Sequence, residues 1–306
     1  MEKSSLVFFG THDFAKTILQ SLIDAGCVVE LVVTQPDRPV GRKQEMQKPA
    51  TKILAEQYGI PVFQPEKLKD QKIEISEDCQ FAVCAQYGAI IPQSVLDLFP
   101  KGIINVHTSL LPKYRGASPI QSALRDGETQ TGVTIMKMDK GMDTGAILSQ
   151  STIEIFPDET YPQLDARMAE IGATLLNTTL PLYLSGSLIP EEQDHTQATG
   201  CKMISREDGK IDWNKTTAEI YNMYRAYTPW PGIWTMWGDK RLKLLAIKPS
   251  ERKNSPGKAV VDGSRLFIGT GDSSVEIEQI QLEGKSVMSV EEFVRGYGKQ
   301  FLDTQL

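Results

Sequence analysis

The residues best placed to do chemistry fall in two short stretches. The first is Asn105-Val106-His107-Thr108-Ser109-Leu110-Leu111-Pro112-Lys113-Tyr114-Arg115-Gly116, and the second is Asp139-Lys140-Gly141-Met142-Asp143-Thr144-Gly145. Asn105 and His107 end an apolar run, Gly102-Ile103-Ile104, that reads as a buried strand. Residues two apart on a strand face the same way, so a carboxamide and an imidazole emerge together at its carboxyl edge. A second, glycine-flanked loop can deliver the carboxylate of Asp143. A carbonyl polariser, a proton acceptor and an orienting anion are what acyl transfer to a nitrogen nucleophile needs. Singly, each residue has a blander explanation: a histidine after a strand is usually a satisfied loop residue, and aspartates near glycines usually serve turns. Together, with a rigid Leu-Leu-Pro and a basic Lys-Tyr-Arg-Gly between them, they favour catalysis.

The elements that must position these groups follow from periodicity. Residues 6–10 and 28–34 read as strands on either side of a helical stripe at Phe14, Ile18, Leu22 and Ile23. Further strands are expected at 81–85, 103–107 and 133–138, and helices at 50–58, 93–99 and 120–126. Such alternation predicts a doubly wound, Rossmann-like α/β domain with its ligand cleft at the strands' carboxyl ends. The first strand ends in Gly10-Thr11-His12-Asp13 and not in G-x-G-x-x-G, so no nicotinamide cofactor is expected, and Asp13 reads as a helix N-cap. A long helical pattern over 160–185 closes a first domain at 1–190, and the polar run EEQDHTQAT makes 191–203 an interdomain linker. Past it, a helix at 218–227 and several short strand-like runs separated by turns predict a C-terminal OB-like β-barrel domain over 204–306.

Composition bounds the rest. At 40% hydrophobic and 24% charged, the 306 residues match a soluble globular protein, and no stretch approaches a membrane span. Met1-Glu2-Lys3-Ser4-Ser5 runs directly into Leu6-Val7-Phe8-Phe9 without a signal or transit pattern, which implies a cytoplasmic protein. Cys27, Cys79, Cys84 and Cys201 lack ligand spacing, and His12, His107 and His195 are scattered, so no metal is expected. The net charge of −6 argues against nucleic acid until its distribution is considered. Residues 202–258 carry twelve positive and six negative side chains, whereas 151–195 carry one and eight. A local basic face on an acidic protein is compatible with RNA binding.

The chain resembles the methionyl-tRNA formyltransferase family nearly end to end. The motifs that carry the resemblance are Val33-Thr34-Gln35-Pro36-Asp37-Arg38-Pro39-Val40-Gly41-Arg42, Pro61-Val62-Phe63-Gln64-Pro65-Glu66, Tyr87-Gly88-Ala89-Ile90-Ile91-Pro92, the block from Asn105 to Gly116, Thr131-Gly132-Val133-Thr134-Ile135-Met136, Trp230-Pro231-Gly232 and Glu283-Gly284-Lys285. The Asn-x-His block alone indicates only the wider folate-dependent formyltransferases; the Gln-Pro-Asp-Arg-Pro and C-terminal motifs narrow it.

The resemblance implies a formyl donor, 10-formyltetrahydrofolate, and an acceptor, the α-amino group of methionine on initiator tRNA, with the product N-formylmethionyl-tRNA serving translation initiation. For that reaction Asn105 is assigned to the formyl oxygen, His107 to proton handling at the amine and the leaving folate nitrogen, and Asp143 to orienting the imidazole. By resemblance Ser109, Leu110, Leu111 and Pro112 belong to the folate-binding loop, and Tyr87, Gly88, Ile90, Ile91 and Asp139 to the pterin wall. The stretch 35–49 reads as a long loop, a length that is more often functional than incidental. In the family it enters the acceptor-stem end, which makes Arg42 a tRNA contact, with Arg38 and Lys43 beside it; the run Lys43-Gln44-Glu45-Met46-Gln47-Lys48 is less basic than the family pattern. Lys202, Arg206, Lys210, Arg241 and Lys243 could hold phosphates further along the stem. The expected protein is a monomer that meets folate and tRNA and no membrane. The nearest rival is a folate-dependent formyltransferase acting on a small amine, glycinamide ribonucleotide or an amino-sugar nucleotide, which would need neither the basic loop nor the C-terminal barrel. A catalytically silent RNA-binding protein is a rival from another class, which the intact Asn/His/Asp set argues against.

Overall fold

A computed structural model describes residues 5–40, 44–69, 71–301 and 304–306. In chain order the first part of the chain forms β1 (Ser5–Gly10), α1 (Asp13–Asp24), β2 (Val28–Val33), β3 (Arg38–Val40), β4 (Glu45–Gln47), α2 (Ala50–Gln57), β5 (Val62–Phe63), β6 (Phe81–Ala85), α3 (Gln93–Leu96), β7 (Ile103–His107), β8 (Arg115–Gly116), α4 (Pro119–Arg125), β9 (Gln130–Lys137), β10 (Ile147–Glu154), α5 (Tyr161–Leu184) and β11 (Gly200–Cys201). Seven strands make one sheet in the order β10-β9-β7-β6-β1-β2-β5. The pairings β1 with β2, β1 with β6, β2 with β5 and β6 with β7 are parallel, and β9 runs antiparallel to β7. The continuous apolar runs of β6 and β7 are buried at every position, as expected of strands covered on both faces. On one side, Val7, Phe9, Ala82 and Ile103 join a core completed by Val95 and Phe99. On the other, α5 approaches closely at Gly172, where an added Cβ would lie 3.0 Å from Val106 and 3.4 Å from Val133.

The later part forms α6 (Thr217–Tyr227), β12 (Ile233–Trp237), β13 (Lys240–Ser250), β14 (Ala259–Asp262), β15 (Arg265–Gly269), β16 (Ser274–Leu282), β17 (Met288–Ser289) and α7 (Val290–Phe301). Its strands pair antiparallel in the order β12-β13-β16-β15-β14, with β17 on β16. Register shifts on either side of Ala246 mark an irregularity in the β13–β16 pairing, as bulges do. Helix α6 opens with a capping box: the Thr216 hydroxyl accepts from the Glu219 amide at 3.2 Å, and the Glu219 carboxylate accepts from the Thr216 amide at 2.9 Å.

Two compact units result. One comprises 1–119, 130–154 and 165–202; the other comprises 120–129, 155–164 and 203–306. Two internal excursions therefore group with the C-terminal residues. Arg225, 5% exposed, accounts for one of them by donating to the carbonyls of Phe156 at 3.3 Å and Glu159 at 3.4 Å. Of residues 191–203, expected as a linker, 191–202 are built into the first unit, because β11 pairs in parallel with β8 and Gln193 is buried, and Met203 falls to the second. The described residues of the stretch 35–49 are not all loop. Arg38, Pro39 and Val40 pair with Gln47, Met46 and Glu45 in a short antiparallel hairpin. His12, and not Asp13, occupies the N-cap position of α1; Asp13 is its first helical residue.

Candidate active site

β7 delivers Asn105 and His107 to one edge of the sheet. In register, Asn105 lies between Cys84 of β6 and Met136 of β9, and His107 lies beside Thr134. Both side chains are buried, Asn105 at 9% exposure and His107 at 6%. The two differ in how they are used. The Nε2–H of His107 donates to the carbonyl of Tyr114 at 3.1 Å, and Nδ1 lies 3.6 Å from Oδ1 of Asp143. The other Asp143 oxygen, Oδ2, accepts from the Gly116 amide at 2.8 Å. Asn105, in contrast, makes no side-chain hydrogen bond among the described residues, and its carboxamide atoms are not fully enclosed, so they remain open to a ligand. Asp143 and Tyr114, the two residues that face the imidazole, both have positive φ, 54° and 58°. Left-handed backbone at a non-glycine residue costs energy and clusters at functional sites.

One hydroxyl makes three of the hydrogen bonds around the loop after β7. Thr134 Oγ1 donates to the Ser109 carbonyl at 2.6 Å and accepts from the Leu111 amide at 3.1 Å and from Gln150 Nε2 at 2.9 Å. Ser109 is fully buried, and its hydroxyl donates to the Lys113 carbonyl at 2.6 Å, so it is spent on the turn. Leu110 packs over Gly132, where an added Cβ would come within 2.4 Å of it, and Leu111 is buried. Half-buried Pro112 completes this stretch. Of the expected folate wall, Tyr87 is a core residue whose ring meets Phe9 edge-on at 5.7 Å, and burial pushes its hydroxyl up to about 12. Gly88 is exposed with φ 81°, Ile90 is 82% exposed and Ile91 is buried. Asp139 caps its own loop, accepting from the Gly141 amide at 3.0 Å and the Thr144 hydroxyl at 2.7 Å. It also borders a cavity of about 350 Å³ lined by Leu96, Phe99, Ile103, Met138 and others. Cys84 is no nucleophile: burial, with the Asp143 charge adding to it, pushes its thiol up to about 12. No group of three His, Cys, Asp or Glu among the described residues is placed to hold a metal.

The residues expected to meet tRNA divide between the two units. Arg38 is exposed and pairs with Glu66 at 3.0 Å, and the carbonyl of exposed Lys202 accepts from the Ser118 hydroxyl. Arg42 and Lys43 lie outside the described residues. Asp37, the residue before Arg38, is held below the usual carboxylate range by Gln64 and Lys52, which donate to it at 2.8 and 2.9 Å. In the second unit, Arg206, Lys210, Arg241 and Lys243 gather around Trp234. The Arg206 carbonyl accepts from the indole N–H at 3.1 Å, Lys210 bridges to Trp234, the Arg241 guanidinium lies 4.0 Å over its ring, and Lys243 is its cross-strand partner. Sequence reasoning missed Trp234 as the centre of this group. It also missed Thr134, which the strand register could have revealed, and Gln193, for which the sequence offered only polarity.

Comparison with known proteins bears directly on the family. A model described as formyl transferase matches residues 3–180, and one described as formyl transferase, C-terminal domain, matches 203–298. A methionyl-tRNA formyltransferase of Acidobacterium capsulatum is 46% identical over 300 residues, covering 95% of this chain and 96% of that protein. The chain belongs to the methionyl-tRNA formyltransferase family. Another such enzyme, from Geobacter metallireducens, is 41% identical over 298 residues, with 95% of each chain covered. Among solved structures, an N-formyltransferase from Helicobacter canadensis in complex with folinic acid and dTDP-3-aminofucose gives a TM-score of 0.67 at 20% identity, covering 90% of this chain and 98% of that one. A methionyl-tRNA formyltransferase from Clostridium thermocellum gives 0.52 at 14% identity, covering 93% and 99%. Likeness at such identities concerns the fold. The family members' full-length match concerns both units of this chain.

Proposed function

We propose that this chain moves the formyl group of 10-formyltetrahydrofolate to the α-amino group of methionine on initiator tRNA, with Asn105, His107 and Asp143 as the reacting set. The observation that carries the assignment of the set is the unspent carboxamide of Asn105 beside the His107–Asp143 pair. An α-ammonium with a pKa of roughly 8 must lose a proton before it attacks. Nδ1 of His107 takes that proton, because Nε2 is tied to the Tyr114 carbonyl; once the amine has added to the formyl carbon, the bond from that carbon to the folate nitrogen breaks, the leaving nitrogen takes up a proton, and the amine's second proton is released. At 3.6 Å, Asp143 stands where its carboxylate can orient the ring. As the formyl oxygen gains charge, Asn105 donates to it without bringing a charge of its own that must be desolvated. Neither Ser109 nor Cys84 is available for a covalent intermediate, the first by hydrogen bonding and the second by protonation.

Folate is assigned to the first unit through the family and through the Asn105 carboxamide on β7, which has no side-chain hydrogen bond among the described residues and can donate to a carbonyl oxygen. We place the pterin against Asp139 and the 87–91 loop, with the 109–112 turn beside it. The Trp234-centred group of Arg206, Lys210, Arg241 and Lys243 is assigned to phosphates of tRNA, as are Arg38 and Lys202, and Arg42 with Lys43 to the acceptor end. The test compares methionyl initiator tRNA, methionyl elongator tRNA and small amines, each with 10-formyltetrahydrofolate. The initiator is expected to be used best by orders of magnitude. Faster formylation of glycinamide ribonucleotide or an amino-sugar nucleotide would replace this reading with the small-acceptor one.

A further inference from the structure

The polar stretch after α5 is stitched along the loop that follows β7. The amide of Tyr114 donates to the Thr199 hydroxyl at 2.9 Å, and that of Arg115 to the Thr199 carbonyl at 2.9 Å. The Thr199 amide donates to the Pro112 carbonyl at 3.3 Å, and the Ala117 amide to the Cys201 carbonyl at 3.2 Å. The Cys201 thiol reaches the Tyr114 carbonyl at 3.5 Å, the same oxygen that accepts from His107. At Gly116, a Cβ would stand 2.2 Å from the Cys201 carbonyl, so the two chains run as close as backbones can.

Gln193 fastens the other side. It is 5% exposed, and every hydrogen-bonding position of its carboxamide is filled. Nε2 donates to the carbonyls of Asp143 at 2.9 Å and Gly145 at 2.7 Å. Oε1 accepts from Arg115 Nε at 3.1 Å and Nη2 at 2.6 Å. One side chain therefore joins the loop that carries Asp143 to the loop that carries Tyr114, and these are the two residues that face the imidazole of His107.

We propose that residues 193–201 form a positioning strap for the His107–Asp143 pair, with Gln193 as its clamp. The inference rests on the assignment of that pair to proton transfer. Gln193 touches no reacting atom; it sets where the carboxylate stands relative to the ring. Asp143 holds a left-handed backbone conformation, so its loop has a lower-energy alternative to relax into once the clamp is gone. Gln193→Glu keeps the size and the Arg115 partner but sets a carboxylate against two carbonyl oxygens. Gln193→Met keeps the approximate length and removes all four bonds.

The experiment measures kcat, both KM values and the pH profile of kcat for the wild type, Gln193→Met, Gln193→Glu, Asp143→Asn and the double variant Gln193→Met/Asp143→Asn, with a thermal melt for each. Misplacement by about 1 Å costs about 100-fold, so the two Gln193 variants should lose roughly 10- to 100-fold in kcat, with KM for folate and tRNA changed by less than about 3-fold and the acidic limb of the profile displaced. In the Asp143→Asn background, Gln193→Met should cost no more than about 3-fold further, because the two changes disable one device. Should Gln193→Met fail to fold, Gln193→Glu carries the same comparison. A folded Gln193 variant with the wild-type rate and pH profile, or losses that multiply fully in the double variant, would overturn the strap while leaving the pair's role intact. Wild-type activity in Asp143→Asn would instead overturn the pair's role itself.

Discussion

Asn105 and His107 share a strand and a burial class, yet among the described residues the Asn105 side chain has no hydrogen-bond partner whereas His107 donates through Nε2 and turns Nδ1 toward Asp143. That contrast separates catalysis from stability at the level of single residues. Asn105→Ala removes no protein hydrogen bond, so its melting temperature should stay within a few degrees of the wild type. Loss of one oxyanion donor, in contrast, lowers kcat by about 100- to 1000-fold. Steady-state kinetics and a calorimetric melt on the same preparation check both halves; a large stability loss with retained kcat would make Asn105 a structural residue. Cys84 gives the complementary case. With its thiol pushed up to about 12, it should resist alkylation in the native enzyme at pH 8, and Cys84→Ala should cost stability more than rate, about 1–2 kcal/mol for a small buried side chain. Labelling of Cys84 at the rate of a free thiol would contradict the burial that sets its state. The residues proposed to react stood out in the sequence because two polar groups at alternate positions interrupt a buried apolar strand. Asp143 was legible only through its flanking glycines, and Gln193 not at all, because its partners are mainly backbone carbonyls brought near by folding.

Strands and helices with strong periodicity lay close to their expected bounds, as with β6, β7 and α5. Two elements went unmarked. β10 has a burial pattern of mixed exposure, and α7 carries Gly296 and Gly298, which lower helix propensity. Tertiary burial overrides that cost: Phe293 and Phe301 are fully buried and pack against Trp237 at 5.9 and 5.0 Å. The hairpin of β3 and β4 escaped notice because three paired residues a side give no usable alternation. Two loop positions show what the elements demand. An alanine Cβ at Gly145 would stand 1.9 Å from the Lys137 carbonyl, so Gly145→Ala must displace the turn that carries Asp143. Its expected signature is a loss of kcat larger than the loss of stability, read from kinetics and a urea melt. Thr134→Val leaves the Leu111 amide and Gln150 without their shared acceptor, and should destabilise the protein by about 1–3 kcal/mol in the same melt. A neutral effect would show that the hydroxyl does not organise the loop after β7.

At the scale of the molecule, the chain crosses between its two units more often than a linear division allows, because excursions at 120–129 and 155–164 group with the C-terminal residues. Sequence periodicity does not report which unit a loop joins; a single buried arginine does. Arg225→Met should leave the Phe156 and Glu159 carbonyls short of a donor and lower stability by about 1–3 kcal/mol, measured by denaturant unfolding. Stability should also fall in acid. Asp37, Asp212, Glu219 and Asp272 are held below the ordinary carboxylate range by hydrogen bonds, from Gln64 and Lys52, Asn214, Thr216 and Thr217 in turn. A depressed folded-state value adds stability that is complete above the unfolded value near 4 and is lost as pH falls through the folded one, so the urea midpoint should drop below about pH 4. Burial raises Asp165 and acts in the opposite sense, but it stands against four. The central claim, that β7 and the Asp143 loop assemble the groups that move a formyl group onto methionyl-tRNA, is tested most directly by single-turnover formylation of methionyl initiator tRNA with folded His107→Ala enzyme. The account predicts a rate lower by orders of magnitude with folate binding retained; a rate near that of the wild type would contradict it.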